Sequence, residues 1–150
     1  LAEAGGVTNK ILKPAAMLLN YPVITSGEYA HRGSFKQLLG GNETEEMLEL
    51  LSLEKQVTEY TPPAFIWHTY TDQSVPVQNS LLLIEAMKKY EIPVEFHMYP
   101  AGGHGLSTCT EQSMNVDGYG VQEQCQSWLP LVRTWLAEKV RCKTDTNVLG

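Results

Sequence analysis

The sequence predicts an α/β protein in which helices pack on a sheet of three parallel strands. Two apolar runs, Ala64–His68 and Val94–Tyr99, each lead into a polar loop. An amphipathic segment of helix length, Val77–Tyr90, separates them. Upstream, Ala15–Ile24 is a nearly continuous apolar run, which is typical of a strand covered on both faces in a parallel sheet.

Length and composition fit one globular domain and exclude several classes of protein. The chain has 150 residues, of which 43% are hydrophobic and 19% charged, so it can bury a sizeable core. A net charge of −6 without a basic cluster argues against a nucleic-acid or anionic-membrane surface. No apolar run approaches the ~20 residues of a membrane span, and no signal-peptide pattern is visible. Three cysteines without metal-ligand spacing favour a reducing compartment, so we expect a cytoplasmic protein.

The first strand is expected to end near Tyr21, because Pro22 cannot continue a paired strand. Residues 34–60 then predict two short helices rather than another strand. In the first, Ser34 is expected to cap a turn that ends at Gly40 and Gly41. A second helix should run through Leu51, with Asn42 and Glu45 forming its capping box.

The second half of the chain gives clearer patterns. The helix Val77–Tyr90 carries its apolar side chains on one stripe. In the strand Val94–Tyr99 apolar and polar side chains alternate, which predicts a strand near the sheet edge. A final helix should begin near Ser127, because Pro130 is tolerated only in a first turn.

An acid and a histidine follow the two consecutive strands. Asp72 lies in the loop after the first of them, and His104 lies in the glycine-rich loop after the second. The carboxyl ends of neighbouring parallel strands meet at one edge of a sheet. We therefore expect Asp72 and His104 to lie within about 2.6–3.2 Å, where a carboxylate can orient an imidazole as a general base.

These residues resemble the α/β-hydrolase superfamily, and more narrowly its bacterial acetyl esterases and carboxylesterases. The resemblance covers about residues 14 to 140 in the family's order. The matching words are Tyr21-Pro22-Val23, Ser52-Leu53-Glu54, Val57-Thr58, Thr61-Pro62-Pro63-Ala64-Phe65, Trp67-His68-Thr69, Asp72 with Val75-Pro76, and Gly103-His104-Gly105-Leu106. By this resemblance Asp72 is the triad acid and His104 the triad base.

The family's third catalytic residue has no counterpart here. Its nucleophile is a serine on a Gly-x-Ser-x-Gly elbow, upstream of everything seen in this chain. No serine of the chain has the two flanking glycines. The chain therefore looks like the C-terminal half of the fold, a single partial domain over 1–150 in which residues 34–60 occupy the place of the cap.

The resemblance implies a serine-type carboxylic ester hydrolase acting on short acyl or acetyl esters, with acetylated carbohydrate as one candidate substrate. No metal or organic cofactor is implied. The expected partners are a small-molecule ester and either an N-terminal half of the fold or a second copy of the chain. The chain alone should be inactive. Two alternatives remain: a non-catalytic binding or assembly module, and a peptidase of the same fold such as the prolyl-oligopeptidase kind.

Other candidate residues receive simpler interpretations. His68 and His97 are interpreted as packing or surface residues, and His31 as a loop residue. Cys109 is close to His104 in sequence, but nothing places it on the strained elbow that a thiol nucleophile would need.

Overall fold

The computed structural model describes residues 14–146, and their side chains through residue 138. The strands are β1 (Met17–Asn20), β2 (Ala64–Thr69) and β3 (Val94–Tyr99). The helices are α1 (Arg32–Leu39), α2 (Glu45–Leu51), α3 (Gln78–Lys89) and α4 (Trp128–Thr146). Short 3-10 turns occur at Leu53–Lys55, Glu111–Ser113 and Glu123–Cys125. No helix in the described part is long and apolar enough to cross a bilayer.

The three strands form one parallel sheet in the order β1-β2-β3, which confirms the predicted fold class. In register, Ala64 of β2 lies between Met17 of β1 and Val94 of β3. All six residues of β2 are buried, because it is the central strand and helices cover both of its faces. β3 is an edge strand, as its alternating pattern predicted.

Each face of the sheet has its own hydrophobic core. Ala64 and Ile66 of β2 point to the face that α3 covers, where they pack with Leu83 and Met87. Phe65, Trp67 and the buried side chains of α4 form the opposite core, together with the loops that follow β3. The buried members of that second core are Phe65, Trp67, Leu106, Cys109, Cys125, Val132 and Trp135.

Trp67 is the centre of an aromatic cluster in the second core. Its ring stacks on Trp128, with centroids 5.4 Å apart and planes 19° from parallel. Tyr21 meets the same indole edge-on at 5.0 Å, and Tyr99 does so at 5.9 Å. The indole Nε1–H also donates to Asn20 Oδ1 over 2.8 Å, which ties β2 to the end of β1.

The first strand is shorter and more exposed than the sequence predicts. Pairing with β2 covers only Met17–Asn20, and 47% of Leu18 is exposed, so the strand is not covered on both faces. At Tyr21 the backbone turns into the left-handed region with a φ of 40°. Tyr21 N–H still donates to Trp67 O over 2.8 Å, and the chain then leaves the sheet.

The N-caps of the first two helices also differ from those predicted. The residue that caps α1 is His31, whose Nδ1 accepts from Ser34 N over 3.3 Å, so Ser34 lies inside the helix. Thr44 caps α2 and its Oγ1 accepts from Met47 N over 3.2 Å, where Asn42 was expected. The predicted helix ends are correct, since Gly40 takes the left-handed C-cap conformation.

Candidate active site

Two loops at the carboxyl edge of the sheet contain the predicted acid and base. The acid loop, residues 70–77, joins β2 to α3, and the histidine loop, residues 100–110, follows β3. Both strands run parallel, so their loops emerge side by side. The structure brings the two predicted site residues together: His104 Nδ1 lies 2.8 Å from Asp72 Oδ2, within the distance expected from the sequence.

Asp72 is held in place by its own loop. It is 3% exposed, and its Oδ1 accepts from the backbone N–H groups of Ser74 and Val75, each over 2.9 Å. This pattern, in which an aspartate caps the turn that follows it, is a common way for Asp to stabilise a loop. Since Oδ1 is occupied by two donors, Oδ2 remains available for the histidine.

The contact with Asp72 fixes the proton arrangement of His104. A carboxylate oxygen only accepts, so Nδ1 carries the proton and Nε2 of the neutral ring has a free lone pair. No group in the described part of the chain hydrogen bonds to that Nε2, and the side chain is 33% exposed. Tyr21 supports the ring edge-on, with centroids 4.8 Å apart. A partly exposed imidazole with a free lone pair on Nε2 is the arrangement that a general base requires.

The histidine loop is closely packed at two of its glycines. Gly102 has a φ of +143°, and a Cβ there would lie 2.7 Å from Thr69 Cγ2. At Gly103 a Cβ would lie 2.3 Å from the Tyr119 hydroxyl oxygen, which donates to the carbonyl of His104. Thr69 Oγ1 donates to Gly102 O over 3.0 Å. These contacts fix the backbone that carries His104.

His68 is the neighbour of the site that sequence reasoning missed. It was interpreted as a packing or surface residue, and it is fully buried. Its Nε2, however, lies 3.4 Å from Asp72 Oδ2, the oxygen that also contacts His104. The available signal was its position at the end of β2, four residues before the acid, where a strand side chain and a loop side chain can meet.

The remaining candidates do not enter the site. His97 Nε2 pairs with Glu95 Oε1 at 2.8 Å on β3, and His31 caps α1. Burial, reinforced by the neighbouring Cys125, raises the pKa of the Cys109 thiol to about 12, so the thiol is neutral and a poor nucleophile. Within the described residues no group of three or more histidine, cysteine, aspartate or glutamate side chains could hold a metal ion. No serine there hydrogen bonds to His104.

Comparison with protein families identifies relatives of the chain. Residues 13–118 match the model of the prolyl oligopeptidase family. A stretch of 100 residues, 67% of the chain, is 46% identical to endo-1,4-beta-xylanase B of Butyrivibrio fibrisolvens. The chain spans only 16% of the length of that xylanase.

Solved structures with the same fold are esterases and sugar hydrolases. An acetyl ester-xyloside bifunctional hydrolase of Caldicellulosiruptor lactoaceticus is 41% identical, with a TM-score of 0.63 over 79% of this chain and 43% of its own. A carboxylesterase of Lactobacillus plantarum is 29% identical, with a TM-score of 0.72 over 83% and 44%. A sugar hydrolase of Lactococcus lactis is 30% identical, with a TM-score of 0.74 over 93% and 54%.

The chain thus spans about half the length of these solved hydrolases, and its three parallel strands correspond to part of their fold. The family match covers well over half of its residues. The chain belongs to the prolyl oligopeptidase family, within the α/β-hydrolase superfamily.

Proposed function

We propose that this chain provides the acid and the base of a Ser-His-Asp triad in a carboxylic ester hydrolase. The observation that carries the proposal is the 2.8 Å contact between His104 Nδ1 and the buried carboxylate of Asp72. A carboxylate fixed by two backbone N–H groups, paired with an imidazole whose Nε2 is free, is the acid–base arrangement that activates a hydroxyl nucleophile. The serine itself is provided by an upstream half of the fold.

The mechanism assigns one role to each residue. His104 Nε2 takes the proton of the serine as the hydroxyl attacks the ester carbonyl, and the imidazolium then returns that proton to the departing alcohol. Asp72 keeps the imidazole in the required tautomer and stabilises its positive charge. Water attacks the acyl-enzyme in the second half of the reaction, with His104 again as the base.

The relatives support short acyl or acetyl esters on a carbohydrate as the substrate class. Two of them, a xylanase and an acetyl ester-xyloside hydrolase, are named for activity on xylose-containing material, and a third is named as a sugar hydrolase. Residues 34–60, which include most of α1 and all of α2, would act as a short cap that shapes the pocket for the alcohol or the acyl group. The free thiols of Cys109 and Cys125 support a cytoplasmic location.

A peptidase is the second candidate function, and the name of the matching family favours it. Both reactions use the same triad, so Asp72 and His104 do not separate them. Parallel assays of a short-chain aryl acetate and a prolyl anilide would do so. Preferential hydrolysis of the anilide would replace the esterase proposal with the peptidase.

The central test compares the chain alone with the rejoined enzyme, meaning this chain joined to an upstream half that carries the serine. We expect background turnover of an aryl acetate by the chain alone and clear activity after rejoining. His104→Ala should then lower kcat by several orders of magnitude, because the triad acts as a unit. His97→Ala, at a histidine paired with Glu95 outside the site, is the matched control and should leave kcat unchanged. Hydrolysis by the isolated chain that survives His104→Ala would contradict the proposal.

A further inference from the structure

A second imidazole lies behind the acid, and the proposed mechanism does not use it. His68 is the penultimate residue of β2, none of its surface is exposed, and both ring nitrogens have partners. Nδ1 lies 2.8 Å from Ser80 Oγ, and Nε2 lies 2.9 Å from the carbonyl oxygen of Val75. The same Nε2 is 3.4 Å from Asp72 Oδ2.

These partners determine where the His68 proton lies. The carbonyl of Val75 can only accept, so Nε2 must be the donor. Nδ1 then has a lone pair, which accepts from the hydroxyl of Ser80. The ring is satisfied as a neutral imidazole, and its Nε2–H also points a partial positive charge at the carboxylate of Asp72.

Several groups influence the charge of His68. Burial is the largest cause and lowers its pKa below the usual value, and the charge of His104 lowers it further. The Val75 carbonyl and Asp72 act in the opposite direction but do not overcome burial. His68 therefore stays neutral at neutral pH and does not compete with His104 as the charged partner of Asp72.

The residues that hold His68 belong to the start of α3. Ser80 is fully buried, and so is its neighbour Asn79. Asn79 Oδ1 accepts from the backbone N–H of Ile24 over 2.9 Å, and its Nδ2 donates to Pro76 O over 3.0 Å. The first turns of α3 thus fix the acid loop from one side, and His68 fixes it from the strand.

We propose that His68 is a positioning residue for the acid of the site. By donating to the carbonyl of Val75 and facing Asp72 Oδ2, His68 holds the acid loop so that Oδ2 contacts His104 Nδ1. The neutral His68 leaves the negative charge of the Asp72 carboxylate to stabilise the positive charge on His104. This inference rests on the proposed function and adds a residue to it. It assigns His68 no contact with substrate.

Two substitutions distinguish the contributions of the two ring nitrogens of His68. In His68→Gln the amide nitrogen reaches the position of Nε2 and can still donate to Val75, whereas the shorter side chain of His68→Asn reaches only the position of Nδ1 near Ser80. In the rejoined enzyme we expect His68→Asn to lower kcat at least about tenfold with little change in KM, because misplacement of a catalytic group by about 1 Å can cost about 100-fold in rate. His68→Gln should recover most of that loss.

The pH profile supplies a readout that a purely structural role would not move. The titratable groups around His104 are Asp72, His68, Tyr21 and Tyr119. If His68→Asn displaces Asp72 from His104, the imidazolium loses the carboxylate that stabilises its positive charge. The acid limb of kcat/KM should then move to lower pH in His68→Asn and stay in place in His68→Gln.

The outcomes distinguish this inference from the proposed function. Unchanged kcat and acid limb in His68→Asn, with His104→Ala inactive, would overturn the role of His68 and leave the triad intact. Activity that survives His104→Ala would overturn both. Nitrogen-15 NMR of the wild-type rejoined enzyme gives an answer that needs no variant to fold: a His68 ring protonated on Nδ1 instead of Nε2 overturns the inference.

Discussion

Replacing the acid by its amide, Asp72→Asn, tests the site at the atom that sets the imidazole tautomer. The asparagine side chain has one oxygen and one NH₂ group, and each of them must face one of two sets of neighbours. One environment is the pair of backbone donors, Ser74 and Val75 N–H, that now face Oδ1. The other is His104 Nδ1 at 2.8 Å, with His68 Nε2 at 3.4 Å.

The structure decides which way the amide turns. If its NH₂ group faced the backbone, the N–H of buried Val75 would lose its acceptor at a cost of roughly 1–3 kcal/mol, and the N–H of exposed Ser74 would lose the same acceptor. The oxygen therefore stays with the backbone and the NH₂ group faces His104. Nδ1 must then accept, so the neutral ring carries its proton on Nε2, where it cannot take the proton of the serine.

A triad held in the wrong tautomer loses roughly 10⁴-fold in kcat. This corresponds to about 5 kcal/mol of lost transition-state stabilisation. Stability should change much less, because the amide keeps the backbone contacts of the carboxylate. The assay is kcat of the rejoined enzyme on an aryl acetate, with a thermal melt to verify folding and the exposed Asp117→Asn as the control. A folded Asp72→Asn variant that keeps kcat within about tenfold of the wild type would refute this reasoning.

Three further predictions follow from the packing of the chain. Gly102→Ala should lower the free energy of unfolding by about 1–3 kcal/mol more than Gly118→Ala in chemical denaturation. Both glycines have a positive φ, but of the two Gly102 lacks space for a Cβ. Equal losses for the two variants would contradict this prediction. In a Cys142→Ser variant, Cys109 and Cys125 should resist alkylation at pH 8 until the protein unfolds. Burial raises the pKa of both thiols, so they stay neutral and unreactive in the folded protein. Rapid labelling of the native protein would refute this prediction. The 150-residue chain alone should self-associate through the open edge of β1 in light scattering over a concentration series, whereas a chain that stays monomeric at high micromolar concentration would contradict the prediction.

The elements that sequence reasoning located best are those with the strongest local patterns. β3 occupies the predicted residues Val94–Tyr99, and β2 differs by one residue at its end, because a buried run between turn signals leaves little freedom. Val77–Tyr90 was predicted as a helix, and α3 spans Gln78–Lys89. Parallel pairing followed from the order of strand, helix and strand, and that pairing brought Asp72 and His104 to one edge.

The errors concern the start and exposure of β1, the N-cap of α1 and the position of His68. β1 ends at Asn20, next to the predicted end at Tyr21, but its pairing with β2 begins only at Met17 and Leu18 is 47% exposed, which the apolar run does not encode. His31 caps α1 through an imidazole nitrogen, although histidine is not among the usual N-cap residues. The position of His68 beside the acid depends on Ser80, twelve residues along the chain. The catalytic roles of Asp72 and His104 remain predictions, and the contact between them supports those roles.

The stacked pair of Trp67 and Trp128 gives the protein a built-in optical probe. Two indoles with centroids 5.4 Å apart are close enough for their electronic transitions to couple, so we expect a paired positive and negative band in the far-ultraviolet circular dichroism. Tyr21 touches both the ring of Trp67 and the ring of His104. A displacement of the histidine loop therefore reaches the indole pair through a single tyrosine, and the loop's state can be followed spectroscopically without an added label.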